Sequence, residues 1–524
     1  MAVVLHTFLM LGSFSCIFLF APIFGDQRAD ADWWCSQTPY PETCKHSLSH
    51  QNLNPNLAMQ KSDFYKLALQ LALKGAIDAN GFVVSLGSKC RNDREKAAWA
   101  DCLKLYNYTV FRLQQTISTT NSTQGDAQTW LSTALTNLET CRSGFIEVGV
   151  IDNILPLLSI ENVSNLISNT LALNRVPHPV DGNQPEEFPS WAKSSNRKHG
   201  QGTPSSSLPV FQANIVVEKG GSGNRKTINE AIAAASQRRG DSRFVIYVKA
   251  GVYEEKVEIG SDLKNIMLVG DGIGKTIITN SLSVRGGSTT FNSATVAVFG
   301  DGFIGRDITF RNTAGPNNGQ AVALLSMSDL SAFYHCSFEG YQDTLCVHSE
   351  RQFFRECDIY GTVDFIFGNA AVVFQNCNIY VRKGHSTNTI TAQGRSNPDQ
   401  NTGISIQNCS VMAAADLAKG KQCPPTYLGR PWRLFSRTVF LESFLDKLVN
   451  PAGWLEWDGS SSLSHLYYAE YRNKGPRSIT THRVKWQGFH ILTSPIEADP
   501  FTVENFISGK TWLPSTNIDF NPGL

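Results

Sequence analysis

The sequence predicts a chain in two parts: an all-α helical bundle over residues 33–175, then an all-β parallel β-helix over residues 210–524. Three observations carry the prediction. Before residue 175, apolar residues recur at helical three- and four-residue spacing. After residue 210 the texture changes to short β-branched and aromatic runs broken by Gly, Asn and Asp. In that second half a segment of about twenty residues repeats itself.

Composition sets the outer bounds. The chain has 524 residues, 41% hydrophobic and 17% charged, enough for two sizeable cores. Its net charge of +1, with no long Lys/Arg run, excludes strong electrostatic binding of nucleic acid. At the N-terminus, "MAVVLHTFLMLGSFSCIFLFAPIFGDQRAD" holds an apolar run from Phe8 to Phe20 closed by Ala21-Pro22. This reads as a signal peptide over residues 1–25, so no integral membrane association is expected after its removal. An n-region without Lys or Arg leaves an uncleaved anchor as the second reading. Sequons at Asn107, Asn121, Asn162 and Asn408 suit the secretory route. Of twelve cysteines, Cys16 lies in the signal and none forms a CxxC pair, which points away from a metal site and towards disulfides.

The elements follow in order. "FYKLALQLALKGAIDAN" (64–80), "AQTWLSTALTNLETCRSGF" (127–145) and "ENVSNLISNTLALN" (161–174) are amphipathic helices with short connections, the pattern of a bundle. Residues 176–209 are rich in Pro, Ser, Gly and charge without periodicity, and read as a linker. Its Arg197-Lys198 pair is either a processing site or solvated surface. "KTINEAIAAASQ" (226–237) predicts a single helix capping the start of the second part.

The repeat decides the architecture of the rest. "FYHCSFEGY" from Phe333, "FFRECDIYG" from Phe353, "VFQNCNIYV" from Val373 and "SIQNCSVMA" from Ser405 align, with Cys336, Cys357 and Cys377 separated by 21 and 20 residues. One such unit is one coil of a parallel β-helix, and equivalent positions then stack about 4.8 Å apart. Leucine-rich repeats have a similar period, but their Leu-x-x-Leu-x-Leu pattern is missing. Cys357 and Cys377 would sit on adjacent coils, either as small core residues or, the expectation adopted, as a disulfide.

The same period gives "YGTVDFIFGNA" (360–370) its meaning, because stepping back 21 residues from Asp364 lands on Asp343 in "GYQDTLCVHS". Gln342 and, a further coil back, Gln320 fall in the same column. Two carboxyls on adjacent coils do not both ionise easily: one stays an anion while the other keeps its proton. That pairing supplies a nucleophile or base beside a general acid, and nearby amides can donate to an oxyanion. The alternative is that these are turn or ladder aspartates. There is no G-x-S-x-G elbow, P-loop or dinucleotide fingerprint.

At these residues a resemblance appears. "GYQDTL" (340–345), "GTVDFIFGNA" (361–370) and "LGRPW" (428–432) look like signature motifs of plant pectin methylesterases, and "GVYEE" (251–255) and "GQAVAL" (319–324) match two further motifs in family order. The first half resembles the pectin methylesterase inhibitor family. The resemblance implies a right-handed parallel β-helix behind a disulfide-braced four-helix bundle, with pairs Cys35–Cys44 and Cys102–Cys141; Cys90 has no counterpart in that pattern and is left as a free thiol. It implies a secreted, cell-wall enzyme that hydrolyses the C6 methyl esters of galacturonate in pectin to pectate and methanol, without metal or organic cofactor. Inhibitor proteins are implied as partners, and the pro-region is expected to inhibit the enzyme or assist its folding.

Carried over by position, Asp364 would be the nucleophile, kept ionised by Arg430, and Asp343 the acid and then the base. Gln342 and Gln320 would donate to the oxyanion, while Trp432 and Thr290 would contact the sugar. Phe365 and Phe367 line the groove or pack the coil, Trp454 and Trp457 are further groove-side aromatics, and Gly251, Tyr253 and Glu255 are structural. One departure from the family stands at "NRKHGQG", where members with this pro-region carry a basic motif followed by two leucines. A lyase would need calcium-binding acidic clusters and a polygalacturonase a different aspartate set, and neither is present.

Overall fold

The computed structural model describes residues 29–50, 58–120, 122–150, 160–175, 212–420, 424–457 and 461–524. The expected signal peptide, the linker with Arg197-Lys198, and Asn121 lie outside the described residues.

Two short helices, α1 (Ala31–Ser36) and α2 (Pro41–Ser49), open the chain and are joined by the Cys35–Cys44 disulfide. Four longer ones make the bundle: α3 (Lys61–Leu86), α4 (Asp93–Ser118), α5 (Gln124–Glu147) and α6 (Ile160–Leu173). The N-termini of α4 and α5 are set by side chains that satisfy orphan amides. Asn92 accepts from Glu95 N–H, and Thr123 forms a reciprocal capping box with Asp126. Cys102–Cys141 ties α4 to α5, so both implied bundle disulfides are present.

The second part is a right-handed β-helix of three parallel sheets with eleven, seven and eight strands. A complete coil contributes one strand to each sheet and the coils at the two ends are partial, so neighbours in space are one repeat apart in sequence. The aligned repeats stack in register, with Phe333 on Phe354 and Phe354 on Phe374. Their rings are stacked with centroids 4.6 and 4.7 Å apart, filling the interior with aromatic columns. Helix α7 (Ile228–Ala235) closes the first coil, and the Glu255 carboxylate caps it by accepting from Ile228 and Asn229 N–H. Tyr253 is buried beside it, in keeping with a structural role for this motif.

One expectation is corrected here: Cys357 and Cys377 are free thiols, not a disulfide. With Cys336 and Cys409 they form a buried ladder, and each Sγ also donates to a backbone carbonyl. Inside a coil a thiol behaves as a small apolar side chain that can still satisfy a carbonyl.

The bundle lies on the outer face of the seven-stranded sheet. Ala297, Leu325, Cys346, Phe367 and Ala392 of that face belong to one apolar cluster with the bundle core. This explains why α5 is buried almost all round although it carries Gln128, Thr129, Ser132, Thr133, Thr136 and Asn137. One face meets the bundle and the other meets the β-helix, as in the bond from Asn369 Nδ2 to Thr136 Oγ1 at 2.9 Å. At the centre of the contact, the buried Arg112 of α4 donates to both carboxylate oxygens of Asp301 at 2.6 and 3.0 Å. Its Nε lies 2.7 Å from Glu350. Tyr108, one turn earlier, donates to Met327 O at 2.8 Å.

Candidate active site

Asp343 and Asp364 occupy the turn that leads into the seven-stranded sheet on successive coils. The strands that follow pair Leu345 with Ile366 and Cys346 with Phe367, so two residues back the aspartates face each other in register. Both take left-handed backbone, with φ of +60° and +51°. That conformation is costly for a residue with a Cβ, and Asp tolerates it better than most. It lifts both carboxyls off the sheet into a cavity of about 520 Å³ between the β-helix and the bundle.

The two carboxyls differ in their surroundings. Arg430, two coils further on, donates from Nε to Asp364 Oδ1 at 2.9 Å and from Nη2 to Oδ2 at 2.7 Å. Thr389 on the intervening coil donates to Oδ1 at 2.6 Å and accepts the Asp364 N–H at 2.9 Å. Asp364 is thus a buried carboxylate held by a planar guanidinium fork and a hydroxyl. Asp343 has no such fork. Burial pushes its carboxyl well above the usual carboxylate range; the charges of Asp364 and Glu147 push it further, and Arg430 opposes them. The two side chains therefore differ: Asp364 is fixed by the fork and the hydroxyl, while burial favours the protonated form of Asp343.

Gln320, Gln342, Trp432 and Thr290 all lie on the wall of the same cavity. The simple column needs one adjustment: the register Leu324–Leu345 puts Val322, not Gln320, opposite Asp343. Gln320 reaches the wall from a turn held by the bond from Ala321 N–H to Gln342 O at 3.2 Å. Trp432 meets Phe367 edge-on at 6.2 Å, so Phe367 belongs to the cavity wall, whereas Phe365 is wholly interior. Trp457 also faces the cavity, with the Arg430 guanidinium 4.1 Å above its ring. Trp454 does not: it is buried in the coil, stacked on Tyr468 at 4.2 Å, which corrects its expected place in the groove.

Several contributors come from outside the motifs. Thr389 carries no periodic signal of its own and is found only by stacking the coils. The far wall of the cavity belongs to the bundle. Thr140 of α5 bonds to the His348 imidazole at 2.8 Å, and Ser143 accepts from Arg433 at 2.6 Å. Glu147 takes both donors of Thr290, its N–H at 3.1 Å and its hydroxyl at 2.5 Å. Asp101 of α4 accepts from the Thr289 hydroxyl beside it. Among the described residues no His, Cys, Asp and Glu cluster has the form of a metal site.

A family profile described as Pectinesterase matches residues 214–510. The chain belongs to the pectinesterase family. A second profile, Plant invertase/pectin methylesterase inhibitor, matches residues 29–173, the helical part. The chain is 60% identical over 506 residues to Pectinesterase 2 of Citrus sinensis, covering 96% of each protein. It is 57% identical over 511 residues to the probable pectinesterase/pectinesterase inhibitor 17 of Arabidopsis thaliana, covering 97% of each. Among solved structures it is similar to the pectin methylesterase from carrot, with 53% identity and a TM-score of 0.59. That likeness covers 61% of this chain and all of the carrot chain. The protein is therefore a carboxylic ester hydrolase with an inhibitor-like helical domain in front of its β-helix.

The remaining expectations fall as follows. Asn107, Asn162 and Asn408 are exposed, as a glycosylated Asn must be, although Asn107 accepts from Asn80 Nδ2 at 2.9 Å and Asn408 donates to Asn376 at 2.9 Å. Cys90, which has no counterpart in the family pattern, is a free, half-buried thiol.

Proposed function

We propose that the protein hydrolyses galacturonate C6 methyl esters of pectin in the plant cell wall after secretion, with Asp364 as nucleophile and Asp343 as acid and base. The observation that carries this reading is the in-register pair of left-handed aspartates, one held by the Arg430 fork and the other without such a fork and pushed above the usual carboxylate range by burial. Asp364 Oδ attacks the ester carbonyl carbon, and the carbonyl oxygen becomes an oxyanion. The amides of Gln342 and Gln320 donate to that oxyanion. Collapse of the intermediate breaks the bond to the methoxy oxygen, and Asp343 gives that oxygen its proton, releasing methanol. The acyl group is now an anhydride on Asp364. Asp343, now a carboxylate, takes a proton from water as the water attacks the anhydride, which regenerates the acid and frees the pectate carboxylate. Trp432 and Trp457 offer apolar faces to sugar rings.

In the full chain the inhibitor-like bundle roofs the cavity, so polymer access requires the bundle to move or be removed. Residues 33–175 are accordingly the inhibitory unit, residues 210–524 the enzyme, and the linker between them the place for processing. The polysaccharide complexes open to the enzyme are with pectin, and the uncovered face suits separate inhibitor bundles as well.

The test is to incubate a chain starting near Leu208, which keeps the whole of residues 214–510 matched by the pectinesterase profile, with highly methylated pectin. The expected result is methanol and one proton per ester cleaved with no new reducing ends. Chain scission without methanol would overturn the reading.

A further inference from the structure

The last turn of α5 brings a carboxylate, not merely bulk, into the cavity. Glu147 Oε2 accepts the Thr290 N–H at 3.1 Å and Oε1 accepts the Thr290 hydroxyl at 2.5 Å. The two donors of one residue thus converge on the two oxygens of one carboxylate, a bidentate fit that a neutral group meets less well. The other α5 side chains at the roof behave differently. Thr140 and Ser143 exchange neutral or single hydrogen bonds with His348 and Arg433. Glu147 is also near enough to Asp343 for its charge to act on that carboxyl. It therefore stands in the same cavity as the reacting pair and the aromatic faces of Trp432 and Trp457.

The polymer assigned to this cavity carries on each sugar either a methyl ester or a free carboxylate of the same planar, monoanionic form as a glutamate side chain. We propose that Glu147 is a built-in mimic of a de-esterified galacturonate unit. Its carboxylate occupies a subsite, made by the Thr290 N–H and hydroxyl, that in the open enzyme receives the free carboxylate of a sugar neighbouring the ester under attack. The inference rests on the esterase reading for the identity of the ligand. It adds that the bundle competes with the polymer for one specific carboxylate position, beyond covering the groove.

The experiment uses the full-length chain and trigalacturonate, which has no ester and needs no turnover, with binding followed by tryptophan fluorescence. Glu147→Ala is expected to bind trigalacturonate about tenfold more tightly than the parent, the scale of one charge-assisted hydrogen bond. Glu147→Gln, which keeps the size of the side chain and guards against a local folding defect, is expected to gain less. Glu139→Ala removes a charge from the same helix, two turns earlier and also on the cavity wall, and is expected to stay at the parent affinity. Adding Thr290→Val to Glu147→Ala, which removes the hydroxyl and keeps the N–H, should cut the gain markedly. The proposal is overturned if Glu147→Ala matches the parent, if Glu139→Ala gains as much, or if Thr290→Val leaves the gain intact. Failure of the chain starting near Leu208 to release methanol would instead strike the esterase reading, and leaves this binding comparison standing.

Discussion

Replacing Arg430 by Met removes the guanidinium, with its contact to the Trp457 ring, while keeping an unbranched apolar stem. Two charge-assisted hydrogen bonds to Asp364, at 2.9 and 2.7 Å, are lost. Each bond to a charged group contributes about 1.5–3 kcal/mol, so the ceiling is about 3–6 kcal/mol. The Thr389 hydroxyl remains on Oδ1 at 2.6 Å, and the Arg430 side chain is 21% exposed, so water can enter the vacated space. Both effects recover part of the loss and bring it to about 3 kcal/mol, which is about a hundredfold in kcat. The effect should fall on kcat rather than KM, because the fork holds the attacking group and not the sugar. Arg430→Lys, which keeps the charge but loses the bidentate geometry, should lie between the two. Methanol release by the chain starting near Leu208 is the assay. A kcat for Arg430→Met within about threefold of the parent would refute the claim that the fork positions the nucleophile.

Two further predictions concern protons. Asp343 is protonated below its raised pKa, so the acid step is available there and is lost as pH rises through it. Asp343→Asn should remove that alkaline flank from the pH profile of methanol release and leave only residual turnover; a retained flank would assign it to another group. Asp101, between bundle and β-helix, is pushed up to about 7, chiefly by burial, with Lys104 and Lys256 opposing and Glu147 adding to the shift. A carboxyl whose docked pKa lies above its free value stabilises docking fully below about 3.8, and this stabilisation drains away as pH rises to about 7. Thermal melts of the full chain should therefore fall across that window and be flatter for Asp101→Asn; equal slopes would contradict it.

Much of this could be read from the chain because a β-helix writes its geometry into its period. The 21-residue step that aligns Cys336 with Cys357 also brings Asp343 under Asp364, and the strands pair in that register. What the period misses is whatever arises between coils of unequal length or between domains. Gln320 is displaced from the column because the register Leu324–Leu345 puts Ala321, not Gln320, opposite Gln342. Thr389 lies just after the turn that follows Val381 and has no motif around it. Trp454 and Trp457 share a segment, yet one turns into the coil and the other out to the cavity, which three residues of sequence cannot distinguish. Cys357 and Cys377 stack as predicted, but stacking brings thiols together without making a bond between them. Glu147 was out of reach altogether, since its meaning depends on how a helix 143 residues from Thr290 docks.

The central claim is that Asp364 forms a covalent acyl-enzyme, and the direct measurement is methanol release by Asp364→Asn in the chain starting near Leu208. Asn is nearly isosteric and can still accept from Thr389 and Arg430, so the coil should survive, as far-ultraviolet circular dichroism and the melting temperature can verify. The account predicts a loss of about four orders of magnitude or more, as expected for removal of a nucleophile. Turnover near that of the parent in a folded Asp364→Asn protein would contradict it.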